Sequence, residues 1–150
     1  MKKILSLAVI LMLFVSAYAG VKKCSRQTIY VPAYAHIYMG AQVRPFDLAI
    51  TLSIRNTSAE QAVTVTRADF HSTDGTLLKS FVTKPVTLGP LATAEYVVSE
   101  SESQGGSGAN FIVKWQSEKD VTEPVVESVM IGTRSQQGIS FTSRGVVTEE

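Results

Sequence analysis

Between Asp47 and Arg55 the chain reads Asp-Leu-Ala-Ile-Thr-Leu-Ser-Ile-Arg. Leu48, Ile50, Leu52 and Ile54 alternate with Ala49, Thr51, Ser53 and Arg55. A period of two puts four large apolar side chains on one face of an extended backbone, which fits a strand with one face buried. The same period recurs along the chain. Ile29, Val31, Ala33, Ala35, Ile37 and Met39 alternate with Tyr30, Tyr34, His36 and Tyr38, so Thr28 to Met39 reads as extended, with Pro32 stepping or edging the strand. Ala94, Tyr96 and Val98 form a third such set, and Phe111, Val113 and Trp115 a fourth.

Turn signals separate these runs. Asn56-Thr57-Ser58 is a turn; it also matches a glycosylation sequon, but the turn alone accounts for it. Val63 and Val65 change phase to Ala68 and Phe70, which predicts a bulge near Thr66-Arg67. Asp74-Gly75 predicts a hairpin with Leu77 to Val82 as the return strand. Leu88-Gly89-Pro90-Leu91 turns the chain again, Ser99 to Gly108 is a polar loop, and Ser117 to Thr122 reads as a polar connection. Val125 to Gly132 and Ile139 to Val147 complete the set. About eight short strands with turns about every ten residues predict an all-β fold. The first expectation is an immunoglobulin-like β-sandwich, and a small β-barrel is the alternative.

The N-terminus predicts export. Lys2 and Lys3 precede the apolar run Ile4 to Val15, and Ala17-Tyr18-Ala19 is a small-x-small cleavage pattern, so residues 1–19 read as a signal peptide. The apolar run is short for a membrane span, which leaves the membrane only a transient partner during export. Val21-Lys22-Lys23 before Cys24 lacks the small residues that lipid attachment at that cysteine requires. Cleavage leaves 131 residues (150 − 19), enough for one domain, with 12 basic residues (14 − 2) against 13 acidic. This balance carries no footprint for nucleic acid. Cys24 is the sole cysteine, so no intramolecular disulfide forms and the core alone holds the fold. The expected division is a flexible segment 20–27, a domain 28–147 and a charged tail 148–150.

Several segments together resemble a known group. They are Tyr30-Val31-Pro32 through His36-Ile37-Tyr38, Leu52 to Thr57, Gly106 to Phe111, Glu123 to Gly132, and Gln137-Gly138-Ile139-Ser140-Phe141. The combination resembles a family of small exported bacterial domains without assigned function. The resemblance implies an envelope-associated protein and brings no catalytic residues.

Catalytic and metal chemistry find little support in the residues. Two histidines, His36 and His71, lack metal-ligand spacing, so no metal and no cofactor is expected. No Gly-x-Ser-x-Gly elbow occurs, and Glu100 and Glu102 fall in a solvated loop. Gly105 to Gly108 is followed by a strand and no lysine, unlike a phosphate loop. Binding is better supported. Tyr30, Tyr34, His36 and Tyr38 fall on one face of an extended segment and would suit a protein or glycan of the envelope. Arg134, Gln136 and Gln137 form a polar turn, and Asn110 sits where the glycine loop enters its strand. The expected function is a non-catalytic binding or accessory module acting through the aromatic strip. A small-ligand carrier with a barrel cavity is the second reading, and an enzyme the third.

Overall fold

The structure, a computed structural model, describes residues 21–40, 43–134 and 137–150. The expected signal peptide lies outside the described residues. Among the described residues, twelve strands form two facing sheets and one hairpin. The first sheet holds β1 (Lys23–Pro32), β5 (Val63–His71), β6 (Leu77–Ser80), β7 (Val86–Leu88), β9 (Asn110–Thr122) and β12 (Val146–Glu149). Its order is β12-β1-β9-β5-β6, with β7 also paired to β5. The second sheet runs β11 (Gln137–Arg144), β10 (Val125–Arg134), β4 (Ala49–Arg55) and β8 (Thr93–Val98). Between β1 and β4 the chain makes a separate hairpin, β2 (His36–Met39) with β3 (Arg44–Asp47). The two sheets stack as a sandwich and do not close on each other, so the barrel alternative falls away.

The alternating residues do what their period demands. Leu48, Ile50, Leu52 and Ile54 are buried from the second sheet, and Phe111, Val113 and Trp115 from the first. They join one core with Ile29, Val31, Val63, Val65, Ala68, Phe70, Val126 and Met130. Because β9 lies between β1 and β5, its inward stripe sits at the middle of that core. The predicted bulge is present, with the β5–β9 register shifting between Val65 and Arg67.

Several polar groups inside find named partners, whereas Ser53 Oγ and His71 Nδ1 are buried with none among the described residues. Trp115 Nε1 donates to Gln27 Oε1 at 3.2 Å, and Gln27 Nε2 donates to Glu123 Oε1 at 2.6 Å. Ser128 Oγ donates to the Pro32 carbonyl at 2.5 Å, tying the second sheet to the first. Buried Asn56 spends its Nδ2 on the carbonyls of Gln61, Leu88 and Gly89 at 2.8, 3.2 and 2.9 Å. That nitrogen is the atom a glycan would occupy, so the structural use of the turn excludes the sequon in the folded chain.

Four expectations change. β1 begins at Lys23, so residues 23–27 are strand where the sequence suggested a flexible lead; Lys23 and Cys24 pair with Thr122 and Val121. Ser117 to Thr122 is strand, because β9 continues through it after a register break and buries Val121. The last strand divides at Gly145, where the chain leaves β10–β11 and joins β1 through β12. The tail at Thr148 and Glu149 is therefore strand as well, and the described residues hold twelve strands where about eight were expected.

Gly132 roots the hairpin. A Cβ there would lie 2.4 Å from the Phe46 ring, 2.6 Å from Leu48 Cδ2 and 2.9 Å from the Asp47 carbonyl, so only glycine lets β3 close down on β10. Gly132→Ala should lower stability by about 1–3 kcal/mol through overpacking. Gly89→Ala, where a Cβ meets nothing within 4 Å, serves as control. Urea unfolding compares the two, and equal midpoints would contradict the packing account.

Candidate functional site

One end of the sandwich gathers three segments that the sequence left apart. Ala33 N–H and Ala35 N–H donate to the Ala109 and Gly106 carbonyls, both at 2.9 Å, so the chain leaving β1 lies against the glycine loop. Leu48 N–H donates to the Ala35 carbonyl at 2.9 Å and closes the base of the β2–β3 hairpin. Gly132 places the far end of β10 against that same base. The glycine loop, the hairpin and the ends of β10 and β11 thus share one rim.

The glycine loop is moulded on Thr73. Thr73 N–H and Oγ1 both donate to the Gly105 carbonyl, at 2.9 and 3.1 Å, and Gly108 N–H donates to Thr73 Oγ1 at 2.9 Å. Gly106 has φ +78, and a Cβ there would meet Thr73 Oγ1 at 2.4 Å. Gly105 is buried, and a Cβ would lie 2.6 Å from the Phe70 ring. These glycines are required by close packing on Thr73 and Phe70. A single 3-10 turn, Ser103–Gly105, forms in the loop.

The loop's approach is held by charge. Glu102 accepts from Ser99 N–H and from Lys79 Nζ, both at 3.0 Å. These bonds, the backbone one foremost, draw its carboxyl below the usual range. In the adjoining turn the Ser72 hydroxyl and then Thr76 N–H do the same for Asp74.

The aromatic strip divides. Tyr30 stands on the outer face of the first sheet, beside Ile112 and Val146, and is 36% exposed. Tyr34 turns to Phe141 of β11, ring centroids 5.6 Å apart at 66°, and packs on the core. It closes one side of the sandwich as Phe81 closes the other against Tyr96, at 5.4 Å. His36 and Tyr38 meet edge to face at 5.1 Å on the hairpin. The extended segment expected over Thr28 to Met39 breaks between Pro32 and His36, so the four rings do not form one surface. Asn110 pairs with Pro32 and His71 in the first sheet, nearer Tyr30's face than the hairpin. Gln136 and the side chains of Arg134 and Gln137 lie outside the described residues, although Arg134 and Gln137 pair as backbone.

The hairpin has two unlike faces. Ile37 and Phe46 pair across it and pack into the core, while His36 faces Asp47 and Tyr38 faces Pro45. Tyr38 is 56% exposed and Val43 64%. Val43 also holds φ +52, which a β-branched residue adopts only under strain. No signal in the sequence marks that strain. Among the described residues no three of His, Cys, Asp and Glu stand together as a metal site would need, and His71 Nδ1 is buried without a hydrogen-bond partner.

Thr73→Val should cost about 1 kcal/mol of stability and speed exchange of the Gly108 amide several-fold; unchanged exchange would contradict the lock. Glu102, with its folded pKa lowered, contributes stability that is present above the ordinary glutamate value and lost as pH falls through the lowered one. Its carboxyl carbon should therefore titrate by NMR below the ordinary glutamate value, with the Ser99 amide losing protection over the same range. A midpoint at or above that value would contradict the assignment.

No curated protein matches the chain. The crystal structure of Thermotoga maritima 1070 shares 12% identity, with 82% of this chain and 95% of that chain covered and a TM-score of 0.48. Residues 26–148 match a family described as a protein of unknown function, DUF3124. That span runs from β1 into β12 and takes in both sheets, the hairpin and the glycine loop, and the chain accordingly belongs to the DUF3124 family.

Proposed function

We propose that this protein is an exported, non-catalytic binding module of the bacterial envelope that holds a protein partner through its β2–β3 hairpin. Export rests on the sequence of residues 1–19, with its two lysines, apolar run and Ala17-Tyr18-Ala19 site. Among the described residues no helix is long and apolar enough to cross a membrane.

The observation that carries the reading is the asymmetry of the hairpin. Ile37 and Phe46 anchor one face in the core. Tyr38 and Val43 are held out in solvent next to Arg44, with His36 bracing the tyrosine ring. A rooted hairpin loses little freedom on binding, and an exposed Tyr beside an Arg is the composition of an interface centre. The contact is thus narrower than the strip read from the sequence, and Tyr34 belongs to the scaffold. The carrier reading has less support. It needs an enclosed apolar space, whereas the hollows around the described residues open to solvent and are lined mostly by polar side chains.

The test is recovery of partners from an envelope fraction by wild type and by the His36→Ala, Tyr38→Ala double variant. Loss of a centre of this kind costs about 2 kcal/mol, roughly a thirtyfold drop in affinity. Thermal unfolding should stay unchanged, since both side chains point away from the core. Identical protein partners would contradict the proposal, and capture of a polysaccharide in their place would overturn the protein class.

A further inference from the structure

The second sheet ends on a strand edge that the fold leaves open. Among the described residues β11 pairs with β10 alone, so its other side presents main-chain groups without a ladder. The alternation of an antiparallel pair fixes which groups these are. Gly145 N–H donates to the Val126 carbonyl at 2.8 Å, one step beyond the Glu127–Arg144 pair. Ser143, Phe141 and Ile139 therefore exchange bonds with β10, and Gly138, Ser140, Thr142 and Arg144 turn N–H and C=O away from it. These four residues are exposed.

Free edges are blunted by charge, proline or shortness, because an open ladder recruits other strands. The other edges of this molecule are blunted. β12 has four residues and carries Glu149, β6 and β7 have four and three with Lys79 on β6, and β8 holds exposed Glu95 near its middle. β11 reads Gln-Gly-Ile-Ser-Phe-Thr-Ser-Arg over eight residues, with no proline and no charge before Arg144. The sandwich is also least finished beside it. Phe141 and Ile139 are half-buried, as is Tyr34, whose ring meets Phe141 edge to face at 5.6 Å.

From this edge we infer that the protein forms a homodimer, in which β11 pairs antiparallel with β11 of a second copy and joins the two four-stranded sheets into one. The strand is complementary to itself. Only its outward-turned residues can exchange bonds, so the pairing slides by two residues at a time. With Phe141 on the two-fold axis, Ser140 meets the partner's Thr142 and Gly138 meets the partner's Arg144, giving about eight main-chain hydrogen bonds. A slide of two residues either way gives up one of these pairs. Each Arg144 then lies opposite a glycine and about 20 Å along the strand from the other, so no like charges are opposed. The two Phe141 side chains fall in a non-hydrogen-bonded pair, where neighbours approach closest, and each covers the other's contact with Tyr34. An uncharged edge gives a foreign strand little to be selected by, whereas it matches itself group for group. The inference stands apart from the hairpin and holds whether or not the hairpin binds a protein.

Sedimentation velocity of the whole mature chain from about 1 µM to about 1 mM tests it, with hydrogen exchange at both ends of that range. The expected result is a monomer–dimer equilibrium within the range. The Ser140 and Thr142 amides should exchange several-fold more slowly in the dimer, and the Phe141 amide, already bonded to β10, should change less. Thr142→Pro removes an outward N–H and spares the β10 ladder, so it should weaken association at least about tenfold. Ser140→Lys and Thr142→Glu should each weaken it alone, and their equimolar mixture should recover a heterodimer, because the register sets position 140 against position 142. Thermal unfolding at the dilute end, where the chain is monomeric, checks that each variant folds. Monomer throughout the range, a dimer indifferent to Thr142→Pro, no recovery in the mixture, or unchanged exchange at Ser140 and Thr142 would each overturn the inference. Protection of those amides only on adding an envelope extract would assign the edge to a foreign strand and overturn it as well.

Discussion

Burial of the β9 stripe is the interaction on which the remaining structure depends. Phe111, Val113 and Trp115 are each at most 1% exposed, and their strand is flanked on both sides by long antiparallel partners. With a single cysteine there is no covalent staple, so the apolar surface removed from water must outweigh the chain entropy unaided. The tryptophan also sets the polar interior. Its indole N–H needs an acceptor, Gln27 supplies it, and Glu123 then fixes Gln27. That chain joins β1, β9 and the turn into β10 at one end of the sandwich.

The proposed contact surface follows from how the sandwich is finished. Its two open sides are closed by aromatic pairs, Tyr34 with Phe141 and Phe81 with Tyr96. Once Tyr34 is committed to that closure, the chain cannot continue as one strand from β1. It crosses between the sheets as the hairpin, anchored through Phe46 over Gly132. Tyr38 is then held outward on a rooted element.

Much of the fold could be read from the sequence where a side-chain period had one meaning. Leu48 to Ile54 and Phe111 to Trp115 declared their buried faces, and the phase change after Val65 declared the bulge. Polar strands were hidden. Ser117 to Thr122 carries only one apolar residue that is buried, Val121, and its pairing with Lys23 and Cys24 is a long-range event that no local pattern signals. The candidate site was half legible. The exposed Tyr38 and its neighbour His36 were visible as residues, but their separation from Tyr30 and Tyr34 depends on the break after Pro32. Period two looked continuous there because Ala33 and Ala35 are buried too, although they bond to the glycine loop and not to a strand.

The central claim is that the hairpin makes this molecule's protein contact, and not the exposed apolar residues of the second sheet such as Val97, which is 55% exposed. Site-specific photo-crosslinking in living cells, with the reactive side chain placed at position 38 or at position 97, separates the two most directly. The account predicts a discrete protein adduct from position 38 and none from position 97. An adduct from position 97 alone, or none from either position, would contradict it.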